Sequence, residues 1–344
     1  MKPLRVAING FGQIGKIFFR QAFGLRDIDI VAINDLCEPE DILYMLRHDS
    51  NYGDYARHTE ISPGGSLMVD GRTIWLYREK DPGQLPWKSN LVDIVVDASG
   101  AFDTMEKLTP HLTAGAKRVV LTAPSKDIPM FTPNVNEEAA RLGPITSNAS
   151  CTTNATVPIA KVIFDAFGIE WAKIHTVHAY TATQRLVDGV GARKDPRRGR
   201  AAAENISPSE TGAASAVGKI IPGLAGKFYG VSSRVPVPTG SWLDCTFHTV
   251  QATSAEEVKR VLTEASGDPH WQGILGVTDE PLVLKDIVGS PYGSLVQLDM
   301  THVSPDGRTV SVYAWYDNVW GYCSMLLRHV RTVGERLQSL SIEQ

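Results

Sequence analysis

Long apolar runs, surplus positive charge and clustered cysteines are all missing from this sequence, and each absence removes a class of function. No hydrophobic stretch reaches the ~18 residues that crossing a bilayer requires. The opening MKPLRVAINGFG enters a strand-like segment without the apolar core of a signal peptide, so no membrane partner and a cytoplasmic address are expected. The 34 Lys and Arg are outnumbered by 38 Asp and Glu, for a formal net charge of −4. No excess is left for gripping phosphate backbones, and no nucleic-acid partner is expected. The one dense basic stretch, RKDPRRGR from Arg193 to Arg200, lacks interleaved aromatics and reads as a solvated or ligand-facing loop. The cysteines, Cys37, Cys151, Cys245 and Cys323, lie far apart with no CxxC pair and no histidine at finger spacing. That argues against a zinc site and a disulfide framework, and no metal is expected.

What is present is a globular composition, 43% hydrophobic over 344 residues, in a chain longer than one core usually supports, so two domains are expected. LRVAIN (Leu4 to Asn9) reads as a strand. Glycines follow, then Ile14, Ile17, Phe18 and Ala22 at helical spacing, then a second strand, DIVAIN (Asp29 to Asn34), completing a βαβ unit. DIVVD (Asp93 to Asp97) and KRVVLT (Lys117 to Thr122) read as buried strands, and Leu67 to Tyr77, broken by Asp70-Gly71, as a hairpin. A mostly parallel α/β sheet is expected up to residue 150. Beyond Cys151 the pattern changes to one helix and then longer alternating strands, Lys173 to Tyr180, Tyr229 to Val237, Trp242 to Gln251 and Thr309 to Trp315. This predicts an α+β domain with a largely antiparallel sheet. Cys323 to Leu340 reads as a last amphipathic helix.

Gly10-Phe11-Gly12-Gln13-Ile14-Gly15 fits G-x-G-x-x-G between strand and helix, where glycines allow a tight turn and close approach of a pyrophosphate to the helix N-terminus. The string alone is a weak signal. Asp35, 20 residues after Gly15 at the end of the next strand, sharpens it, because a carboxylate there can accept hydrogen bonds from an adenosine ribose. It would also repel a 2′-phosphate, which favours NAD over NADP.

Ser147-Asn148-Ala149-Ser150-Cys151-Thr152-Thr153-Asn154 is a polar string leading into an apolar segment. It reads as a capped helix N-terminus carrying a thiol, a position that stabilises thiolate. Isolated cysteines are also commonly small buried hydrophobes, and on these residues alone both readings stand.

SNASCTTN resembles the active-site signature of the phosphorylating glyceraldehyde-3-phosphate dehydrogenase family. NGFGQIGK, NDL, HAYTATQ, RAAAENISPSETGAA, SSRVPVP and WYDNVWGY match it further in family order, so the resemblance spans essentially the whole chain. It implies an α/β fold: a Rossmann-type NAD-binding domain, residues 1–150, completed by a C-terminal helix, 318–344, with an α+β catalytic domain, 151–317, between them. A homotetramer is implied as well. The implied reaction converts glyceraldehyde 3-phosphate, NAD and inorganic phosphate to 1,3-bisphosphoglycerate through a thiohemiacetal and a thioester. In it Cys151 resembles the nucleophile and His178 its base, resting as an ion pair. Thr181, Thr183 and Arg234 resemble the group that holds the substrate phosphate. Ser150, Thr152, Arg198, Thr211 and Gly212 resemble the inorganic-phosphate site. Asn318 resembles the residue that fixes the nicotinamide carboxamide and Phe102 the aromatic beside the adenine, with Ser99, Gly100 and Thr122 joining the cofactor set.

The sequence departs from the family pattern at Gln13 and Lys16, where arginines are common, and at Val319, a usual glutamate. It departs too at Val190 in the loop after HAYTATQ, at Asn134, a frequent glycine, and at Ala155, often a second cysteine. None touches Cys151, His178, Arg198 or Arg234, so cofactor handling is where a difference is expected. Two rival readings remain: an erythrose-4-phosphate dehydrogenase of the same family, and a catalytically weak NAD-binding redox sensor built on Cys151.

Overall fold

The βαβ unit forms as β1 (Leu4–Asn9), α1 (Gln13–Ala22) and β2 (Ile28–Asn34) in the computed structural model, which describes residues 2–141, 143–192 and 195–340. Arg193 and Lys194 of the basic stretch, and residues 341–344 of the expected last helix, lie outside the described residues. The chain continues through α2 (Pro39–Arg47), β3 (Thr59–Ile61), β4 (Leu67–Val69), β5 (Arg72–Tyr77), β6 (Ile94–Asp97), α3 (Met105–Thr113), β7 (Arg118–Leu121) and β8 (Ile145–Ser147). The expected hairpin is β4–β5. Its central residues, Asp70 and Gly71, both have positive φ, 46° and 77°, the type I′ geometry whose twist suits paired strands.

These strands make one sheet ordered β3-β4-β5-β2-β1-β6-β7-β8. Pairing is parallel from β5 to β8 and antiparallel in β3–β4 and β4–β5. Numbering only the parallel strands in chain order gives 3-2-1-4-5-6, the doubly wound arrangement whose strand order reverses beside β1. Ligands bind such sheets at that reversal, outside the carboxyl ends of the strands. Strands buried on both faces read as continuous apolar runs, and β6, Ile94–Asp97, is buried at every position.

The second sheet begins after α4 (Cys151–Phe167) and contains β9 (Ile169–Ala179), β10 (Ser207–Glu210), β11 (Phe228–Val235), β12 (Ser241–Thr249), β13 (Leu275–Thr278), β14 (Ser294–Val303) and β15 (Thr309–Tyr316). Its order is β10-β11-β9-β12-β15-β14-β13. Four neighbouring pairs are antiparallel and two, β11–β9 and β13–β14, parallel. The sequence reading saw one helix in this region. The structure adds α5 (Ala213–Ile220) and α6 (Ala255–Gly267); α5 spans only eight residues, AASAVGKI, too few for a strong helical pattern. The chain ends in α7 (Trp320–Leu340).

Two compact units result. The first comprises Met1–Pro133, Glu137–Ala149 and Leu326–Gln344; the second comprises Asn134–Asn136 and Ser150–Met325. Among the described residues no helix is long and apolar enough to cross a membrane.

Candidate active site

In the first unit the glycine turn follows β1. Gly10 has φ +92°, and a Cβ there would stand 2.5 Å from the Ser99 Cα, so the turns after β1 and β6 approach as closely as backbone allows. A Cβ on Gly15 would lie 2.0 Å from the Gly10 carbonyl oxygen, which locks α1 against the turn. Gly12 differs: a Cβ there would meet nothing within 4 Å, and as the N-cap of α1 it offers no side-chain acceptor. Open space before an uncapped helix N-terminus suits an anionic group, and a pyrophosphate fits it.

Asp35 closes the other side. Its carboxylate accepts from Phe11 N at 2.6 Å and Cys37 N at 3.2 Å. Gly10, Gly12, Asp35, Ser99 and Phe102 line one cleft of about 410 Å³, together with Asn9 and Asn34. The remaining expected cofactor residues divide. Phe11 is fully buried and packs edge-on against Phe19, contributing its backbone N–H instead of its ring. Gln13 is exposed and Ile14 half-buried in the first turn of α1. Gly100, φ +68°, shapes the turn after β6, and Thr122 follows β7 with its N–H donating to the Asp97 carbonyl.

In the second unit Cys151 is the first residue of α4. Ser150 caps the helix, its Oγ accepting from Thr153 N at 3.0 Å. The preceding Ala149 holds φ +54°, a left-handed conformation that costs a residue with a Cβ about 1–2 kcal/mol. It is retained by a bond from Ala149 N to Ser147 Oγ, 3.0 Å. After α4 the chain turns at Gly168 and returns along β9. A strand rises about twice as far per residue as a helix, so ten residues bring His178 back level with the start of α4.

The register then assembles the neighbours: His178 pairs with Arg234 of β11 on one side and Ser241 of β12 on the other. Cys151 Sγ stands 3.3 Å from His178 Nε2. His178 Nδ1 lies 2.7 Å from the Ala179 carbonyl and also against Arg234 Nη1; as donor to that carbonyl it would leave Nε2 unprotonated toward the thiol. Arg234 Nη1 donates to the same carbonyl at 3.0 Å and lies against the His178 ring. Burial pushes the Cys151 thiol up, against the opposing pull of Arg234. Burial, with Arg234 beside it, lowers the His178 imidazole to about 3. The expected ion pair thus has burial against it at both partners, and Arg234 with the α4 N-terminus favours charge at sulfur alone.

Hydrogen bonds connect members of the two expected anion groups. Arg198 donates to Thr183 Oγ1 at 2.7 Å and Ser209 Oγ at 2.6 Å, and Thr183 meets Thr181 at 3.0 Å, so Arg198 joins the threonine pair. Arg234 goes to His178. Thr152 is buried with its Oγ1 3.0 Å from the Tyr316 hydroxyl, and Ser150 is occupied as the cap. Thr211 and Gly212 stand at the start of α5, where Thr211 Oγ1 accepts from Ala213 N. Asn318 Oδ1 accepts from Gly240 N at 2.8 Å, which fixes the orientation of its amide.

Two residues escaped the sequence reading. Tyr316 bonds Thr152 and Thr176 and packs edge-on against His178 at 5.8 Å; Gln184 accepts from Thr181 N at 2.9 Å. Both lie inside quoted motifs, WYDN and HAYTATQ, and that position was the available signal. The departure at Asn134 has a local reason: its φ is +59°, which asparagine tolerates, and its amide donates to the His270 carbonyl. Val319 is buried, while the exposed Arg197 and Arg200 pair with Asp195 and Asp188.

A doubly wound sheet with a glycine turn and a strand-end carboxylate, followed by a second unit in which a helix and a sheet bring a thiol to an imidazole, defines a dehydrogenase that binds an NAD-type dinucleotide. Residues 4–105 match the family description "Glyceraldehyde 3-phosphate dehydrogenase, NAD binding domain", and residues 150–318 match "Glyceraldehyde 3-phosphate dehydrogenase, C-terminal domain". The chain is 45% identical to the glyceraldehyde-3-phosphate dehydrogenase of Podospora anserina over 326 residues, 94% of this chain and 96% of that protein. It is 41% identical to glyceraldehyde-3-phosphate dehydrogenase B of Aspergillus oryzae over 335 residues, 96% and 99% of the two chains. The chain belongs to the glyceraldehyde 3-phosphate dehydrogenase family.

Proposed function

We propose that this enzyme oxidises D-glyceraldehyde 3-phosphate with NAD and inorganic phosphate, giving 1,3-bisphosphoglycerate. The observation that carries the reading is the 3.3 Å approach of Cys151 Sγ to His178 Nε2 at a capped helix N-terminus, in a chain whose relatives bear that enzyme's name.

Sulfur adds to the aldehyde carbon while the thiol proton passes to His178 Nε2. The Cys151 amide and the imidazolium are the donors for the resulting oxyanion. NAD, when bound, would supply the hydride acceptor; loss of a hydride from the thiohemiacetal carbon would leave a thioester on Cys151. A phosphate oxygen attacks the thioester carbon, the C–S bond breaks, and the acyl phosphate leaves with sulfur restored. Thr181, Thr183 and Arg234 hold the substrate phosphate, and Ser150, Thr152, Arg198, Thr211 and Gly212 the inorganic phosphate, with charge-assisted hydrogen bonds from the two arginines. Asn318 holds the carboxamide. Asp35, on the cleft with Glu79, favours NAD over NADP by like-charge repulsion of a 2′-phosphate.

In this reading residues 1–150 with 318–344 bind the cofactor, and 151–317 carry the chemistry. Leu186, Val187 and Val190 are 73–83% exposed on one loop, apolar surface that fits a homotetramer, and the cytoplasm is its proposed location. Cys151 is half-buried with its thiol raised, which counts against a redox sensor, since sensor thiols are exposed and acidic.

The test is NADH formation from glyceraldehyde 3-phosphate with and without phosphate, in wild type and Cys151→Ala. Phosphate-dependent turnover lost in the variant is the expected result. Phosphate-independent turnover would assign a hydrolytic relative such as erythrose-4-phosphate dehydrogenase, and cofactor binding without turnover would assign a sensor.

A further inference from the structure

The carboxyl ends of β2, β1 and β6 carry three polar residues in direct register, Asn34 opposite Asn9 and Asn9 opposite Asp97. All are buried, Asp97 completely, and beyond it lies His111 of α3, also at 0% exposure. Glycine turns and ribose-facing carboxylates do not require such a row, and nothing described so far uses the Asp97 carboxylate or His111.

Hydrogen-bond direction is settled at every link. Glu79 N donates to Asn34 Oδ1 at 2.8 Å, Asn34 Nδ2 to Asn9 Oδ1 at 2.7 Å, and Asn9 Nδ2 to Asp97 Oδ2 at 2.7 Å. From the other end, the Trp87 indole, which can only donate, reaches His111 Nδ1 at 2.9 Å. The His111 proton is therefore on Nε2, 3.2 Å from Asp97 Oδ2. Ser99 Oγ and N donate to Asp97 Oδ1 at 2.8 and 3.3 Å. Asp97 is thus the common acceptor of four donors, a role a carboxylate fills and a neutral amide cannot.

The members split by position. Asn9, Asn34, Glu79 and Ser99 line the cleft beside Gly10, Asp35 and Phe102; Asp97, His111 and Trp87 do not. Ser99 Oγ in turn accepts from Ala101 N at 3.2 Å, so the turn leading to Phe102 hangs on Asp97. A fully satisfied polar network specifies one arrangement of its members, and a partly satisfied one loosens it.

We propose that Asp97, held by His111, is a positioning residue for the dinucleotide: it fixes the floor of the cleft and the 99–102 turn without touching the ligand. This rests on the cleft being the dinucleotide site. Asp97→Asn turns one acceptor oxygen into a donor that faces donors. His111→Phe removes both links at similar volume, and His111→Gln offers an acceptor and a donor at similar spacing.

The experiment titrates each purified full-length variant with NAD by calorimetry, measures KM and kcat, and records thermal melting without cofactor. Binding by the wild type establishes the cleft first; a wild type that does not bind NAD defeats the underlying reading instead of this one. Asp97→Asn and His111→Phe are expected to raise Kd and KM for NAD about tenfold, the loss of one buried charged hydrogen bond. The kcat at saturating NAD should hold, and His111→Gln should recover most of the affinity. Lowered melting with Kd and KM for NAD unchanged, or a fall confined to kcat, would overturn the proposal. If Asp97→Asn does not fold, the His111→Phe and His111→Gln pair decides it.

Discussion

At the reacting sulfur three influences meet. Burial raises the thiol; the Arg234 guanidinium and the N-terminus of α4 lower it. Arg234 can be removed without disturbing the α4 helix, so its charge can be tested. Arg234→Gln takes away a positive charge that favours thiolate, and the pH profile of Cys151 alkylation by iodoacetamide should move to higher pH than in wild type. An unmoved profile, or one moved downward, would show that the guanidinium does not act on sulfur. The same residue illustrates the limit of motif reading. SSRVPVP located Arg234 and the HAYTATQ motif located His178, yet neither string says that parallel pairing of β11 with β9 sets them opposite one another. The ring and the guanidinium share one carbonyl because of strand register, which is a long-range property.

At the scale of elements, α4 joins fold to chemistry: its cap holds its first turn, and its first residue is the thiol. Ser150→Ala removes the acceptor for Thr153 N. Loss of such a cap is expected to lower stability by about 1 kcal/mol, read as a lower melting temperature. No change in melting would mean that the cap is replaced by another partner. The elements legible in the sequence were those with strong local signals. The hairpin carried Asp70-Gly71, and β1, β2 and β6 carried the short apolar runs VAI, IVAI and IVV. Less legible was β14, Ser294–Val303, whose SLVQLDMTHV mixes exposed and buried positions around a register shift. The short β10, SPSE, owes its strand form to pairing with β11 instead of to its own residues. Tertiary pairing decided both.

For the molecule as a whole, each compact unit contains a buried histidine whose imidazole is held neutral by burial. His178 lies in the second and His329, stacked on Phe131 at 4.3 Å and bonded to Thr146 and Asn148, in the first. Burial lowers both from 6.5 to about 3. Above pH ~6.5 neither folded nor unfolded chain protonates them, so they contribute nothing to pH dependence. Below that the unfolded chain takes up protons that the folded chain refuses, so stability falls with pH down to about 3. The expected slope is about 1.4 kcal/mol per pH unit per imidazole. Urea unfolding at pH 7, 6 and 5 should show the decline, and His329→Gln should flatten it. A variant slope equal to that of wild type would remove His329 from the account.

The three glycines of the turn after β1 also differ in what they can tell about ancestry. Positions 10 and 15 are shut to any larger residue by the protein's own backbone. A lineage that abandoned its dinucleotide would go on inheriting them for as long as it kept the fold. Position 12 faces empty space, so its glycine answers to the visitor alone. Drift at that one site, with its two companions intact, is the mark that such a loss would leave in a descendant's sequence.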